Sequence, residues 1–183
     1  CSAALSACEK GGQWEMALSL LDTSLRARLE PNAFCLAASV SACQKSRKWQ
    51  QAVALIYELK KLKVEPTAIC YNAAISACGG SEKWVQALCL LEELTQEKLV
   101  PILTSYNSAM WSCMHCGQWQ HALSLFGELL QAELKPDVFS YNTAMAISIS
   151  DQGDAWPLAL SLLRAMSRDA LEPDVVSYSA GAS

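Results

Sequence analysis

Trp recurs at positions 14, 49, 84, 119 and 156, Pro at 31, 66, 101, 136 and 173, and Ala at 17, 52, 87, 122 and 159. Successive members of each series lie 35, 35, 35 and 37 residues apart. Cys8, Cys43, Cys78 and Cys113 keep the same period, with Ser148 next in line. Several residue types sharing one period make the chain an array of similar units. The units divide as 1–32, 33–67, 68–102, 103–137 and 138–174, and another begins at 175–183. The first lacks its opening residues. The fifth is longer by two, near Asp151-Gln152-Gly153-Asp154-Ala155.

Each unit reads as two helices. The first is built from small residues, as in Ala37-Ala38-Ser39-Val40-Ser41-Ala42-Cys43 and Asn72-Ala73-Ala74-Ile75-Ser76-Ala77-Cys78. The second begins at the Trp and carries a broader apolar stripe, with Trp84, Ala87, Leu88, Leu91 and Leu94 expected on one face. Turns such as Gly79-Gly80-Ser81 or Ser46-Arg47 join the pair. The second helix should stop before the unit's Pro, since the residue preceding a proline is biased out of the helical region. Pro157, just after Trp156, suits the first turn of a helix, where a missing N–H is tolerated. A two-helix unit cannot bury both faces alone, so the units should stack into a continuous all-α solenoid. Close packing of the small residues should bring the first helices together on the concave side, with the Leu-rich second helices outside. The recurrent Trp is expected to pack between repeats.

Composition narrows the class further. The chain has 183 residues, 52% apolar and 17% charged, which is incompatible with a disordered tail. No stretch approaches the roughly 18 consecutive apolar residues of a membrane span, so no membrane partner is expected. The opening Cys1-Ser2-Ala3-Ala4 has no initiator Met and resembles neither a signal nor a transit peptide, as expected for a piece of a longer protein. Nine Cys in mostly apolar surroundings read as buried free thiols in a reducing compartment.

Catalytic patterns are absent from the sequence. Two His, no phosphate-cradling glycine loop, no nucleophile motif and no clustered carboxylates point away from an enzyme, a cofactor or a small-molecule substrate. Cys113-Met114-His115-Cys116, with His121 beyond, has the look of a metal cluster. Yet a zinc site needs four converging ligands, and Cys113 already belongs to the repeat. A redox role for the same Cys pair lacks a βαβ context.

A 35-residue helix pair ending in Lys135-Pro136-Asp137 and followed by Val138-Phe139-Ser140-Tyr141-Asn142 closely resembles the pentatricopeptide repeat, P-type. Leu103-Thr104-Ser105-Tyr106-Asn107 opens another good copy. The rival tetratricopeptide repeat keeps its Trp early in the first helix, whereas here Trp opens the second. The resemblance implies a right-handed α-α superhelix that reads single-stranded RNA, one base per repeat. Similar proteins act in the chloroplast or mitochondrion, in RNA processing, stability, splicing, editing or translation.

By the same resemblance, the fifth residue of each unit would hydrogen-bond a base edge: Ser2, Ala37, Asn72, Asn107, Asn142 and Ser179. The last residue would support it: Asn32, Thr67, Ile102, Asp137 and Asp174. The second residues, Phe34, Ile69, Thr104, Phe139 and Val176, would sandwich the base. An amide offers a donor and an acceptor and so matches a Watson–Crick edge, and an apolar wall suits the base face. The implied register is A-any-pyrimidine-U-U, with uridine favoured by Asn107/Asp137 and Asn142/Asp174. Ala37 has no polar group and Ile102 cannot hydrogen-bond, so two slots depart from the pattern. Asn, Ser and Thr near a helix start also commonly cap the backbone. Ser105, Ser140 and Ser177 are the better placed for capping, and the paired Asp residues could be ordinary turn residues.

A net charge of −4 argues against gripping RNA by bulk positive charge. Among the first helices only Glu9 is acidic, while Lys10 and Lys45 lie near helix ends and His115 holds the matching place in unit four. In the family the equivalent lysine contacts phosphate, but Gly80 and Ser150 break that series. Weak binding with a shallow salt slope follows. Low basicity favours the alternative, a protein-binding helical-repeat scaffold.

Overall fold

A computed structural model describes residues 2–26, 33–150, 156–169 and 171–172. Ten α-helices occur among them: α1 Ser2–Gly11, α2 Trp14–Arg26, α3 Ala33–Lys45, α4 Trp49–Lys61, α5 Ala68–Gly79, α6 Trp84–Gln96, α7 Leu103–His115, α8 Trp119–Gln131, α9 Val138–Ser150 and α10 Trp156–Arg168. No strand is present among the described residues. The chain divides into two compact units, Cys1–Pro101 and Ile102–Ser183. The lengthened turn at Asp151–Ala155 and the start of the sixth repeat lie outside the described residues. Pro157 sits in the first turn of α10.

Within the first unit, α3 packs between α1 and α5, and α2 and α4 each wedge against the first helices of their own and the next repeat. In the second unit α7 meets α8 and α9, and α9 meets α10. Composition explains the division of labour. Short side chains let the first helices approach closely, and α5 buries Cys70 through Ile75 and Ala77 through Gly79 on nearly every face. The second helices bury one stripe: Ala52, Leu55, Ile56 and Leu59 on α4, Ala87, Leu90, Leu91 and Leu94 on α6, Ala122, Leu125, Phe126 and Leu129 on α8. This i, i+3, i+4, i+7 pattern is the amphipathic signature. Leu90 takes the buried place expected of Leu88, which is half-buried.

Both helices of a repeat end in the same device, and it is not the proline. On α4, the Val64 N–H donates to the Leu59 carbonyl at 3.0 Å and the Lys63 N–H to the Lys60 carbonyl at 3.1 Å, with Lys63 at φ 58°. This is a Schellman motif, closed by an apolar residue one step past the left-handed one. It recurs at Leu99/Leu94 and Leu134/Leu129, so the second helices stop well before Pro66, Pro101 and Pro136. The first helices close with the same backbone hydrogen bond but a polar closing residue, the carbonyls of Cys8, Cys43, Cys78 and Cys113 accepting from the N–H of Gln13, Lys48, Lys83 and Gln118. That explains the periodic Cys: it is a small apolar residue in the last turn, buried in all four copies. Gly12 and Gly117 take the left-handed position in two repeats, but Arg47 and Glu82 take it in the others. Gly80, in the turn that the sequence assigned to glycine, is right-handed at φ −66°.

Contacts between repeats in the first unit are themselves repetitive. Trp14 packs on a cluster of Leu5, Cys8, Ala17, Cys35, Ala38 and Ala42, drawn from three helices. The Lys48 ammonium lies 5.6 Å from the Trp14 ring centre, and Lys83 lies 5.7 Å from that of Trp49. These are cation–π pairs one repeat apart. Ser46 Oγ donates to the Gly12 carbonyl at 2.6 Å, and Ser81 Oγ reaches the Arg47 carbonyl at 3.5 Å. On the second-helix side, Glu93 accepts from Tyr57 Oη at 2.9 Å and from Lys60 Nζ at 2.8 Å. Lys60 also pairs with Glu97 at 3.3 Å. Burial disfavours the Lys60 ammonium, but its hydrogen bond to Glu93 contributes to a net rise in its pKa. No described helix is long and apolar enough to cross a membrane.

Candidate functional site

Among the described residues, the second unit holds one complete copy of the expected side-chain pair. Asn107, one turn into α7, is only 8% exposed. Its Nδ2 donates to Asp137 Oδ1 at 3.1 Å. Asp137 immediately precedes α9 and is its cap: its carbonyl accepts the Tyr141 N–H and its Oδ1 accepts the Ser140 N–H at 2.8 Å. Ser140 answers from the third helical position. Its Oγ accepts the Asp137 N–H at 3.3 Å, and its one proton is shared between Asn107 Oδ1, at 2.7 Å, and Asp137 Oδ1, at 2.8 Å. This is a capping box with a third member.

Asp137 is both the cap and the partner of Asn107. Ser140 is not the capping residue itself but the reciprocal partner inside the helix. Ser105 likewise lies inside α7, whose capping position is Ile102. An amide nitrogen has two hydrogens and an amide oxygen two lone pairs. One of each is engaged by Asp137 and Ser140, which leaves one amide hydrogen and one lone pair of Asn107 uncommitted by these two partners. The amide orientation is set by the hydrogen bonds it makes.

The remaining predicted positions are distributed unevenly. Asn72, on α5, is as buried as Asn107, and Ile102 is 47% exposed. Ala37 is buried, while the Thr67 hydroxyl lies 3.4 Å from Cys70 Sγ. Asn142 is half-buried on α9. Ser2 and Phe34 have described backbones only, and Asn32, Asp174, Val176 and Ser179 lie outside the described residues. Of the second-position residues, Ile69 is 62% and Phe139 43% exposed, and Thr104 is exposed. Exposed walls at the second position thus stand beside nearly buried amides at the fifth.

The expected cations are partly committed. Lys10 is exposed, but Lys45 Nζ lies 4.0 Å from Glu9 Oε1 of the preceding repeat, so that acid neutralises part of its charge. His115 packs edge-on against Trp111 with ring centres 4.1 Å apart. Trp111, which the sequence reading passed over, also meets Phe139 at 5.6 Å. Its signal was legible: the corresponding residues are Ser6, Ser41, Ser76 and Ala146.

Among the described residues no three His, Cys, Asp or Glu side chains cluster as metal ligands. Burial pushes the Cys43 thiol up to about 11 and the Cys78 thiol up to about 12. Cys113 is pushed up to about 11, by burial first and then by Cys116 nearby. Such thiols stay protonated near neutrality, as buried packing residues do. Cys89 departs from the buried pattern and is exposed on α6.

Three family profiles match: a PPR repeat family over residues 103–146, a pentatricopeptide repeat domain over 19–81, and a PPR repeat over 1–27 and 69–99. The chain belongs to the pentatricopeptide repeat family. No curated protein sequence matches it. Among solved structures, its fold is similar to the pentatricopeptide repeat domain of Arabidopsis thaliana protein-only RNase P 1, crystallised with tRNA. That similarity has a TM-score of 0.85 at 14% identity, over 97% of this chain and 92% of the other. The pentatricopeptide repeat protein PPR10 in complex with an 18-nt psaJ RNA element aligns with a TM-score of 0.73 at 23% identity. There the alignment covers 98% of this chain and 26% of PPR10. PPR10 from maize matches at 0.51 and 21% identity, over 98% of this chain and 30% of that one. At these identities the likeness speaks for the helical-repeat fold.

Proposed function

We propose that this pentatricopeptide array binds single-stranded RNA selectively, one nucleotide per repeat, and has no catalysis of its own. The observation that carries the reading is the Asn107–Asp137–Ser140 network. It fixes the orientation of an amide with one donor and one acceptor unspent, the minimum needed to read a base edge. Exposed Phe139 supplies a wall for the base face. The RNA complexes formed by the two structurally similar proteins support it. By family resemblance the activity belongs to RNA processing, stability or translation in a chloroplast or mitochondrion.

The test is a titration of labelled RNA with each base in turn opposite Asn107. Uridine should bind best, and Asn107→Ala should flatten the preference while leaving the helical content unchanged. Guanosine preferred at that nucleotide would overturn the assignment. The protein-scaffold reading is favoured by the Lys45–Glu9 pairing, which drains positive charge from the first-helix face. It predicts that binding is unselective and disappears uniformly as salt is raised.

A further inference from the structure

One aromatic side chain near the Asn107 slot belongs to no repeat-wide pattern. Thr104, Asn107, Trp111 and His115 lie along one stripe of α7, since residues three or four apart stack on the same helical face. Trp111 is 38% exposed, whereas Trp is highly buried on average. Its orientation is nevertheless restrained on two sides. His115 meets it edge-on at 4.1 Å, and Phe139 from the next repeat meets it at 5.6 Å with the planes inclined by 39°. The two rings, indole and phenyl, make an aromatic corner, and both retain exposed surface. The Asn107 amide sits one helical turn from the indole, and Asp137, which holds that amide, is two residues from Phe139. Corresponding positions elsewhere carry Ser or Ala, so the backbone of the repeat does not require a Trp here.

We infer that Trp111 is an additional nucleotide-contacting residue, its indole packing against the base opposite Asn107 and completing the wall begun by Phe139. The inference rests on the RNA-binding reading above and deepens it. Thr104, the second residue of this repeat, is small and partly polar, so an indole beside Phe139 adds flat apolar area that Thr104 does not supply. His115 acts through Trp111 as a positioning residue. Stacking is tolerant of base identity. Trp111 therefore sets the strength of binding at this nucleotide, and Asn107 its preference.

The experiment is a cycle of protein and RNA variants. Wild type, Trp111→Ala and Trp111→Phe are titrated with RNA carrying either uridine or an abasic ribose opposite Asn107, with circular dichroism of each protein as a fold control. Trp111→Ala should weaken binding of the intact RNA by about 5- to 160-fold, the range of base–aromatic stacking. It should leave the abasic RNA nearly unaffected, and Trp111→Phe should recover most of the loss. The order of base preference should stay the same in Trp111→Ala. Equal affinities of wild type and Trp111→Ala for the intact RNA would overturn the inference while the RNA-binding reading stands. So would an equal loss on intact and abasic RNA, which would mean that Trp111 acts through the fold. If wild type binds neither RNA selectively, the functional reading itself fails, and the inference with it.

Discussion

Asn107 and Asp137 are thirty residues apart and joined by a 3.1 Å hydrogen bond from the amide to the carboxylate. The same carboxylate oxygen caps α9 through the Ser140 N–H. One atom therefore couples the start of a helix to the orientation of a side chain in the preceding repeat. Asp137→Ala should cost about 0.5–2 kcal/mol in urea unfolding, the range for a lost cap. Asp137→Asn keeps an acceptor at the cap and should cost less than half as much. A neutral result for Asp137→Ala would show that the capping box contributes nothing.

Left-handed residues offer a second check on the helix ends. Lys98 and Glu133 hold φ values of 57° and 55° in Schellman motifs where glycine would be unstrained. Lys98→Gly and Glu133→Gly should each raise stability by about 0.5–1 kcal/mol, strain relief outweighing the added flexibility of the unfolded chain. Gly117 is the reverse case. At φ 70° a Cβ would meet nothing within 4 Å, so Gly117→Ala should destabilise by about 1 kcal/mol through backbone strain alone. Thermal midpoints of the three variants would show the two signs.

Alkaline pH should unfold the array. The Cys43, Cys78 and Cys113 thiols have folded pKa values raised from 9.0 to about 11, about 12 and about 11. Burial also raises the Tyr71, Tyr106 and Tyr141 phenols, with Asp169 adding to the effect at Tyr141, where it accepts the hydroxyl at 2.6 Å. A raised folded pKa means that the native state holds its proton more tightly. Its stabilisation is complete below the unfolded pKa and is lost as pH climbs through the folded one. The urea midpoint should therefore fall steadily from about pH 9 towards pH 12. A midpoint unchanged up to pH 11 would contradict this assignment. In the native state at neutral pH, a thiol reagent should label Cys89 first among the described cysteines and spare the buried ones.

Glu93 joins two repeats by accepting from both Tyr57 and Lys60. Glu93→Ala removes both bonds and leaves the half-covered Lys60 with the more exposed Glu97 and the Tyr71 ring, 5.5 Å away. A loss of about 1–2 kcal/mol is expected. Glu97→Ala, losing one largely solvated pair, should cost about 0.5 kcal/mol or less. Reversing that order would show that Glu93 is not the organising acid.

Much of the architecture could be read from the chain because a repeat multiplies weak signals. A single Trp or Cys says little, but the shared spacing of Trp, Pro, Ala and Cys located the helix pairs. Helix ends were less legible. Pro66, Pro101 and Pro136 drew attention as terminators, whereas the actual stops are Schellman motifs whose mark is an apolar pair five residues apart, such as Leu59 and Val64. That pair is easily absorbed into the helical stripe. Trp111 escaped notice for the opposite reason, since it occurs in one repeat only and periodicity rewards what recurs.

The linear chain by itself determined that two-helix units must stack, because short side chains at one helix and a Leu stripe at the other leave each unit with an unpaired apolar face. It also determined which positions recur. Folding decided which of those positions meet. Ser140, Asp137 and Asn107 converge because stacking α9 on α7 brings the cap of one helix beside the first turn of another. Hydrogen bonding depends on distance and angle, and neither is written in spacing alone.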